Sequence, residues 1–285
     1  MDKKELQNPA LYTNRELSWL LFNKRVLSEA RDKQLLLFER LKFLSITASN
    51  LDEFFMVRIG SLVDMIHAEY TKKDIAGMSA KEQLDALMEE THKFAALQYS
   101  TYNRMLLPQL RANGLNFVEH HEQLTERQAQ YVDEYFEENV YPVLTPMAVD
   151  SSRPFPLIRN KTLNIGALVA KKGEKDTEIE FATVQVPSVL PRVVRIPAAK
   201  EGDTEVAVLL LEEIIERNIS KLFLNYNVLC AHPFRITRNA DLAIDEDEAE
   251  DLLLEIEKQI KKRTWGQAIR LEIEAAADRR RAFRA

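Results

Sequence analysis

Five histidines, one cysteine and a scatter of carboxylates and guanidinium groups are the side chains here from which chemistry could be built. His67, His92, His120, His121 and His232 never form H-E-x-x-H, the helical spacing that converges two imidazoles on zinc, and neighbouring imidazoles such as His120-His121 chelate poorly. They read as surface histidines. Cys230 and His232 stand in Cys230-Ala231-His232-Pro233. A thiolate–imidazole pair needs convergent side chains, which this placement gives no reason to expect, so a structural role is favoured. Asp52-Glu53 reads as a carboxylate pair in the first turn of a helix, where negative charge complements the dipole. Two such neighbours point about 100° apart, a poor geometry for paired acid–base work. The run Asp245-Glu246-Asp247-Glu248 lacks the spacing and glycine of a calcium loop. Arg15, Arg40, Lys42 and Arg58 flank apolar helical stripes and suit either a phosphate or a solvated helix rim. Spacing alone nominates no catalytic residue and no metal ligand.

Several classes are excluded. There is no G-x-G-x-x-G, no G-x-x-x-x-G-K-[ST] and no G-x-S-x-G, so dinucleotide folds, P-loops and nucleophile elbows are not encoded. Lys+Arg total 39 against 45 Asp+Glu, a formal charge of −6, which argues against nucleic acid as a partner. No apolar run of about 18 residues occurs, so no transmembrane segment is expected. One cysteine and an N-terminal stretch without an apolar leader point to a cytoplasmic protein.

The elements that would position these groups follow from where the chain is broken. After Pro9 the next glycine or proline is Gly60, then Gly77, and from Pro108 onward they are frequent. This asymmetry predicts an α+β protein: an N-terminal antiparallel helical bundle followed by a mixed α/β head domain. The first helix begins at Thr13, which forms a capping box with Glu16, or at Asn14, and carries the stripe Leu17, Leu20, Leu21, Val26, Leu27. A second runs from Leu35 to Ile46. Ser49 or Asn50 then ends one helix and caps a third from Leu51 to Tyr70, and a fourth spans Ser79 to Arg111. Thr125 and Gln128 open another helix. Strands are expected over residues 161–170, 179–186, 192–196, 205–210, 234–237 and 267–274, with helices over 211–219 and from Asp245 to Glu257.

A family resemblance covers residues 12–278. Arg15-Glu16-Leu17-Ser18-Trp19-Leu20-Leu21-Phe22-Asn23-Lys24-Arg25-Val26-Leu27, Glu39-Arg40-Leu41-Lys42-Phe43-Leu44 and Ser49-Asn50-Leu51-Asp52-Glu53-Phe54-Phe55-Met56-Val57-Arg58 resemble the opening of type 1 polyphosphate kinases. The likeness continues at Tyr141-Pro142-Val143-Leu144-Thr145-Pro146, Leu190-Pro191-Arg192 and His232-Pro233-Phe234-Arg235-Ile236-Thr237-Arg238. It implies an enzyme moving the terminal phosphate of ATP reversibly onto polyphosphate with Mg²⁺, as a homo-oligomer joined through its head domain. It also implies that Asn50 contributes to the ATP site. Residues 1–117 then correspond to the helical N-terminal domain and 118–285 to an incomplete head domain. The family's phosphohistidine and its metal ligands lie in C-terminal domains that these 285 residues lack, so the chain is expected to be an inactive fragment. The alternative is a non-catalytic dimerisation or interaction module derived from that family.

Overall fold

A computed structural model describes residues 7–149, 156–173, 179–240 and 266–274. The chain divides into two compact units, Met1–Leu110 with Thr237–Arg270, and Arg111–Ile236 with Leu271–Ala285.

The first unit is built on four helices, α1 (Arg15–Arg31), α2 (Leu37–Phe54), α3 (Gly60–His67) and α4 (Ala80–Thr101), with α5 (Leu107–Ala112) at its end. Asn14, not Thr13, caps α1. Its buried amide oxygen accepts from the Glu16 and Leu17 N–H groups, both at 3.0 Å, while its nitrogen donates to Asp74 and Gln83. A threonine hydroxyl, with a single hydrogen to donate, could not reach both Asp74 and Gln83 in this way. The expected break at Ser49-Asn50 is absent: α2 runs through it, and a π-helical turn over Phe55–Ile59 leads into α3. The Asn50 side chain bonds another helix instead of its own backbone, which removes the competition that makes asparagine a helix breaker. A second π turn, Tyr102–Leu106, joins α4 to α5. Apolar packing centres on Leu20, Leu27, Leu51, Phe54, Leu87 and Phe94, with Trp19 stacked on Phe54 at 4.4 Å between ring centroids.

The buried face of this unit is not wholly apolar. Arg40 is only 2% exposed. Its Nε donates to the Ala30 carbonyl near the end of α1 and its Nη1 to Gln109 Oε1, both at 3.0 Å. Arg40 is therefore neither a phosphate cradle nor a solvated rim; it ties α2 to the C-terminal end of α1, where a cation suits the helix dipole.

The second unit holds two sheets. β1 (Leu115–Phe117), β6 (Val206–Leu210) and β5 (Val193–Ile196) form one, in the order β1-β6-β5. The other, ordered β2-β4-β3-β7-β8, comprises β2 (Pro146–Val149), β3 (Leu163–Lys171), β4 (Ile179–Gln185), β7 (Tyr226–Arg238) and β8 (Ala268–Ile273). The last residues of β7 and the first of β8 belong to the first unit. β7 is longer than the expected 234–237 because pairing with β3 continues across Pro233, which removes only a single N–H from the ladder. Gly166 of β3 faces Phe181 and Phe234; a Cβ there would meet Phe181 at 3.0 Å, so the glycine admits that aromatic pair. α6 (Glu126–Tyr135) starts at the Thr125–Gln128 capping box, and α7 (Leu211–Arg217) follows β6 directly. The helix expected over Asp245–Glu257 lies outside the described residues.

α6 and α7 are clamped by Asp133, which accepts from Arg217 Nε at 2.8 Å and Nη2 at 3.0 Å. Those bonds, then the Asn218 amide, hold Asp133 below the usual carboxylate range.

Two outcomes are expected. Arg40→Ala destabilises the chain by about 2–4 kcal/mol in urea unfolding, through a cavity and a stranded Ala30 carbonyl, whereas Arg40→Met, which refills the volume, costs less. Asp133→Asn costs about 1 kcal/mol at neutral pH after allowance for solvent screening. Because the native carboxyl titrates lower than the unfolded one, its contribution is present above about pH 3.9 and disappears as pH falls through the native value. Urea unfolding of both proteins should therefore show the difference narrowing in acid.

Candidate functional site

Asn50 sits in the penultimate turn of α2, half-buried. Its Nδ2 donates to Asn23 Oδ1 at 3.1 Å. Asn23, fully buried on α1, donates in turn to the Thr47 carbonyl at 3.1 Å. The Thr47 hydroxyl accepts from Gln98 Nε2 of α4 at 2.9 Å and donates to the Leu44 carbonyl at 2.7 Å. This polar thread through three helices fixes the Asn50 amide plane. It leaves the Asn50 carbonyl oxygen and one N–H without a partner among the described residues. One acceptor beside one donor matches the edge of a purine that offers an amino group next to a ring nitrogen. The thread contains no charged group, so it suits a neutral heterocycle rather than phosphate or a hard cation.

The Asp52-Glu53 reading changes. Asp52 lies in the last turn of α2, not the first turn of another helix, and is 6% exposed. There the dipole would disfavour it, but Arg270 Nη1 of β8 stands 3.3 Å from its Oδ1, and the same guanidinium covers the Phe55 ring at 4.8 Å. Nearby, Gly60 lets Asn239 come close; a Cβ would stand 2.3 Å from Asn239 Oδ1. Asn239 Nδ2 donates to Asp64 at 2.8 Å, and the Ala240 N–H to the Met56 carbonyl in the π turn at 2.9 Å.

The remaining candidates disperse. Arg58 approaches Glu16 at 3.9 Å and Lys42 approaches Glu39 at 3.7 Å, while Arg15 is exposed at the start of α1. His67 and His92 are exposed on α3 and α4. Cys230 packs against the cluster of Leu168, Phe181 and Phe234, whereas His232 Nδ1 lies 2.8 Å from Glu274 Oε2, so no thiolate–imidazole pair forms between them. Sequence alone makes His120 and His121 plain surface groups, yet both approach the buried Glu213, at 3.7 Å and 3.2 Å. Burial first, then the carboxylates of Glu213, Glu274 and Glu122, push the neighbouring Glu216 up to about 8. Spacing alone missed Asn23 and Thr47 as well. The signal was present: Leu20, Asn23, Leu27 and Ala30 share one helical face, and the polar member of such a stripe needs a partner.

Comparison with known proteins bears on these positions. The family model of the polyphosphate kinase N-terminal domain matches residues 12–118, and that of the polyphosphate kinase middle domain matches residues 127–282. The chain belongs to the type 1 polyphosphate kinase family. A polyphosphate kinase of Halalkalibacterium halodurans is 48% identical over 271 residues, covering 95% of this chain and 38% of that protein. One of Lactiplantibacillus plantarum is 48% identical over 263 residues, covering 92% and 36%. The crystal structure of polyphosphate kinase from Porphyromonas gingivalis superposes with a TM-score of 0.70 at 28% identity, covering 88% of this chain and 38% of that one. The chain therefore spans well under half the length of these relatives. The polar thread falls in the part matched by the N-terminal domain, and the His232 and Glu216 cluster in the part matched by the middle domain. No described helix is long and apolar enough to cross a membrane.

The thread makes an energetic prediction. Asn23→Ala opens a buried cavity and takes away the partner of the Asn50 amide and should cost about 1–3 kcal/mol of stability, more than Asn50→Ala, whose half-buried position lets water replace the lost bond. Chemical unfolding of the two variants measures the order.

Proposed function

We propose that this chain supplies the N-terminal portion of an ATP–polyphosphate phosphotransferase, with the helical domain in residues 1–117 and part of the head domain in 118–285. In this reading Asn50 recognises the adenine of ATP. The observation that carries it is the Asn50 amide, oriented by Asn23 and left with one free acceptor and one free N–H among the described residues. A base edge held by two such bonds is positioned without any contact to the triphosphate.

The uncharged donor set also limits what this site does. Phosphoryl transfer depends on cations and metal ions around the phosphates. Asn23, Thr47, Asn50 and Gln98 offer none, and the Asp52 carboxylate faces Arg270. Mg²⁺ does not fit here, and no step is assigned through it. In this reading the phosphohistidine and the Mg²⁺ ligands belong to other domains of the enzyme, and a second copy associates through the head domain in the cytoplasm.

The test uses the purified chain. With ATP and Mg²⁺ it should make no polyphosphate, yet bind ATP weakly. Adenosine should compete as well as ATP, because only the base is read, and inosine should compete poorly. Asn50→Ala should weaken ATP binding about tenfold to a hundredfold, the worth of two hydrogen bonds. Robust polyphosphate synthesis would refute the division of labour, and unchanged ATP affinity in Asn50→Ala would refute the adenine contact.

A further inference from the structure

Within the second unit a cleft of about 360 Å³ gathers ligand-type side chains from separate elements. Glu213 and Glu216 stand three residues apart on α7 and so share one face. His232 comes from β7, and Glu274 follows β8. His120, His121 and Glu122, from the segment before α6, close the opposite wall. The described lining holds four carboxylates and three imidazoles and no lysine or arginine.

The inner part of the cleft has the geometry of a chelate. One ligand atom each from Glu216, His232 and Glu274 all lie within 4.8 Å of one another. His232 Nδ1 is 2.8 Å from Glu274 Oε2 and 4.0 Å from Glu216 Oε1. Atoms bound at about 2.1 Å around a tetrahedral ion stand about 3.4 Å apart, a value these two distances bracket. The side chains of Glu216 and Glu274 are 16% and 26% exposed. Among the described residues Glu216 has no hydrogen-bond donor within bonding distance, and its charged neighbours are mostly carboxylates. With no lysine or arginine in the described lining, the carboxylates concentrate negative charge in the cleft. A dication balances it.

The donor atoms indicate which dication. Mg²⁺ prefers oxygen ligands alone and keeps its waters, whereas a mixed imidazole and carboxylate set suits zinc and its neighbours in the first transition row. We infer that Glu216, His232 and Glu274 form a binding site for a divalent transition-metal ion of the zinc type, independent of the nucleotide contact at Asn50. Bound there, the ion staples α7, β7 and the end of β8 together. Glu213 is a positioning residue: it accepts the His121 backbone N–H at 2.9 Å and holds the loop wall against α7. The neighbouring trio of His120, Glu122 and Glu213 is the poorer site, because Glu122 is 72% exposed and ordering it costs side-chain entropy.

The experiment titrates the metal-stripped chain with ZnCl₂ alone by calorimetry, and follows Co²⁺ by its visible absorption. One ion per chain is expected at micromolar affinity or better, with a tetrahedral Co²⁺ spectrum. His232→Ala and Glu216→Gln should each weaken Zn²⁺ binding at least tenfold and abolish that spectrum. His120→Ala and Glu122→Gln should leave both unchanged. Far-ultraviolet circular dichroism of each variant establishes that it is folded, and Glu274→Gln, at the end of its strand, gives an independent third test. Zn²⁺ binding weaker than about 1 mM in the unmodified chain overturns the inference. So does binding that survives His232→Ala and Glu216→Gln but is lost in His120→Ala.

Discussion

The organisation of the helical unit depends on one requirement: polar groups placed on its buried face must find partners there. Asn23, Arg40 and Thr47 occupy positions where leucine would pack more cheaply. Each is answered by a group on another helix or at a helix end, Asn50 and the Thr47 carbonyl for Asn23, the Ala30 carbonyl and Gln109 for Arg40, Gln98 for Thr47, although Arg40 Nη2 has no partner among the described residues. Apolar contacts tolerate a sliding helix; directional bonds to buried groups do not, because a shift strands a donor at a cost of about 1–3 kcal/mol. The polar thread thereby fixes the register of α1, α2 and α4 and, with it, the orientation of the Asn50 amide.

The second unit meets the same requirement with charge. Glu212 and Glu213 are both buried at the start of α7, where the helix dipole favours them. Glu212 is held by Arg192 through Nε at 3.0 Å, so the arginine of Leu190-Pro191-Arg192 acts as a structural counter-ion. Glu213 is met by the His121 imidazole and backbone N–H. Glu216, one turn on, has no comparable partner among the described residues, and burial, then the carboxylates of Glu213, Glu274 and Glu122, push its carboxyl up to about 8. Three acids on one short helix thus show a graded supply of compensation, from a fork of two bonds down to a single imidazole nitrogen at 4.0 Å.

What the sequence made legible was local. Strand spans near 163–171, 179–185, 193–196, 206–210 and 268–273 follow from alternation and apolar runs. The capping box at Thr125–Gln128 follows from a three-residue spacing. Failures came where a distant residue decided the outcome. Asn50 failed to end α2 because Asn23 took its side chain, and Asn14 displaced Thr13 because Asp74 and Gln83 reward an amide. Asp52 tolerates a helix C-terminus because Arg270, 218 residues away in sequence, stands beside it. Spacing rules cannot see such partners. Asn50 itself was found only through its surrounding motif; the physical clue, a polar residue within a buried stripe, lay in Asn23.

The chemistry of the two clusters argues for a separation of tasks within the chain. An uncharged thread of amides and a hydroxyl discriminates by hydrogen-bond pattern, and a low local dielectric makes that discrimination sharper without attracting phosphate. The carboxylate and imidazole cleft has the opposite character: its excess negative charge repels a triphosphate and attracts a dication. Neither arrangement can stabilise a transferring phosphoryl group, which carries negative charge on its own oxygens and requires cations aimed at them. Both have the chemistry of holding a ligand rather than of transferring a group. Under the proposed reading, a chain that spans 36–38% of its relatives' length uses these two clusters to orient a base and to brace a fold, not to stabilise a transferring phosphoryl group.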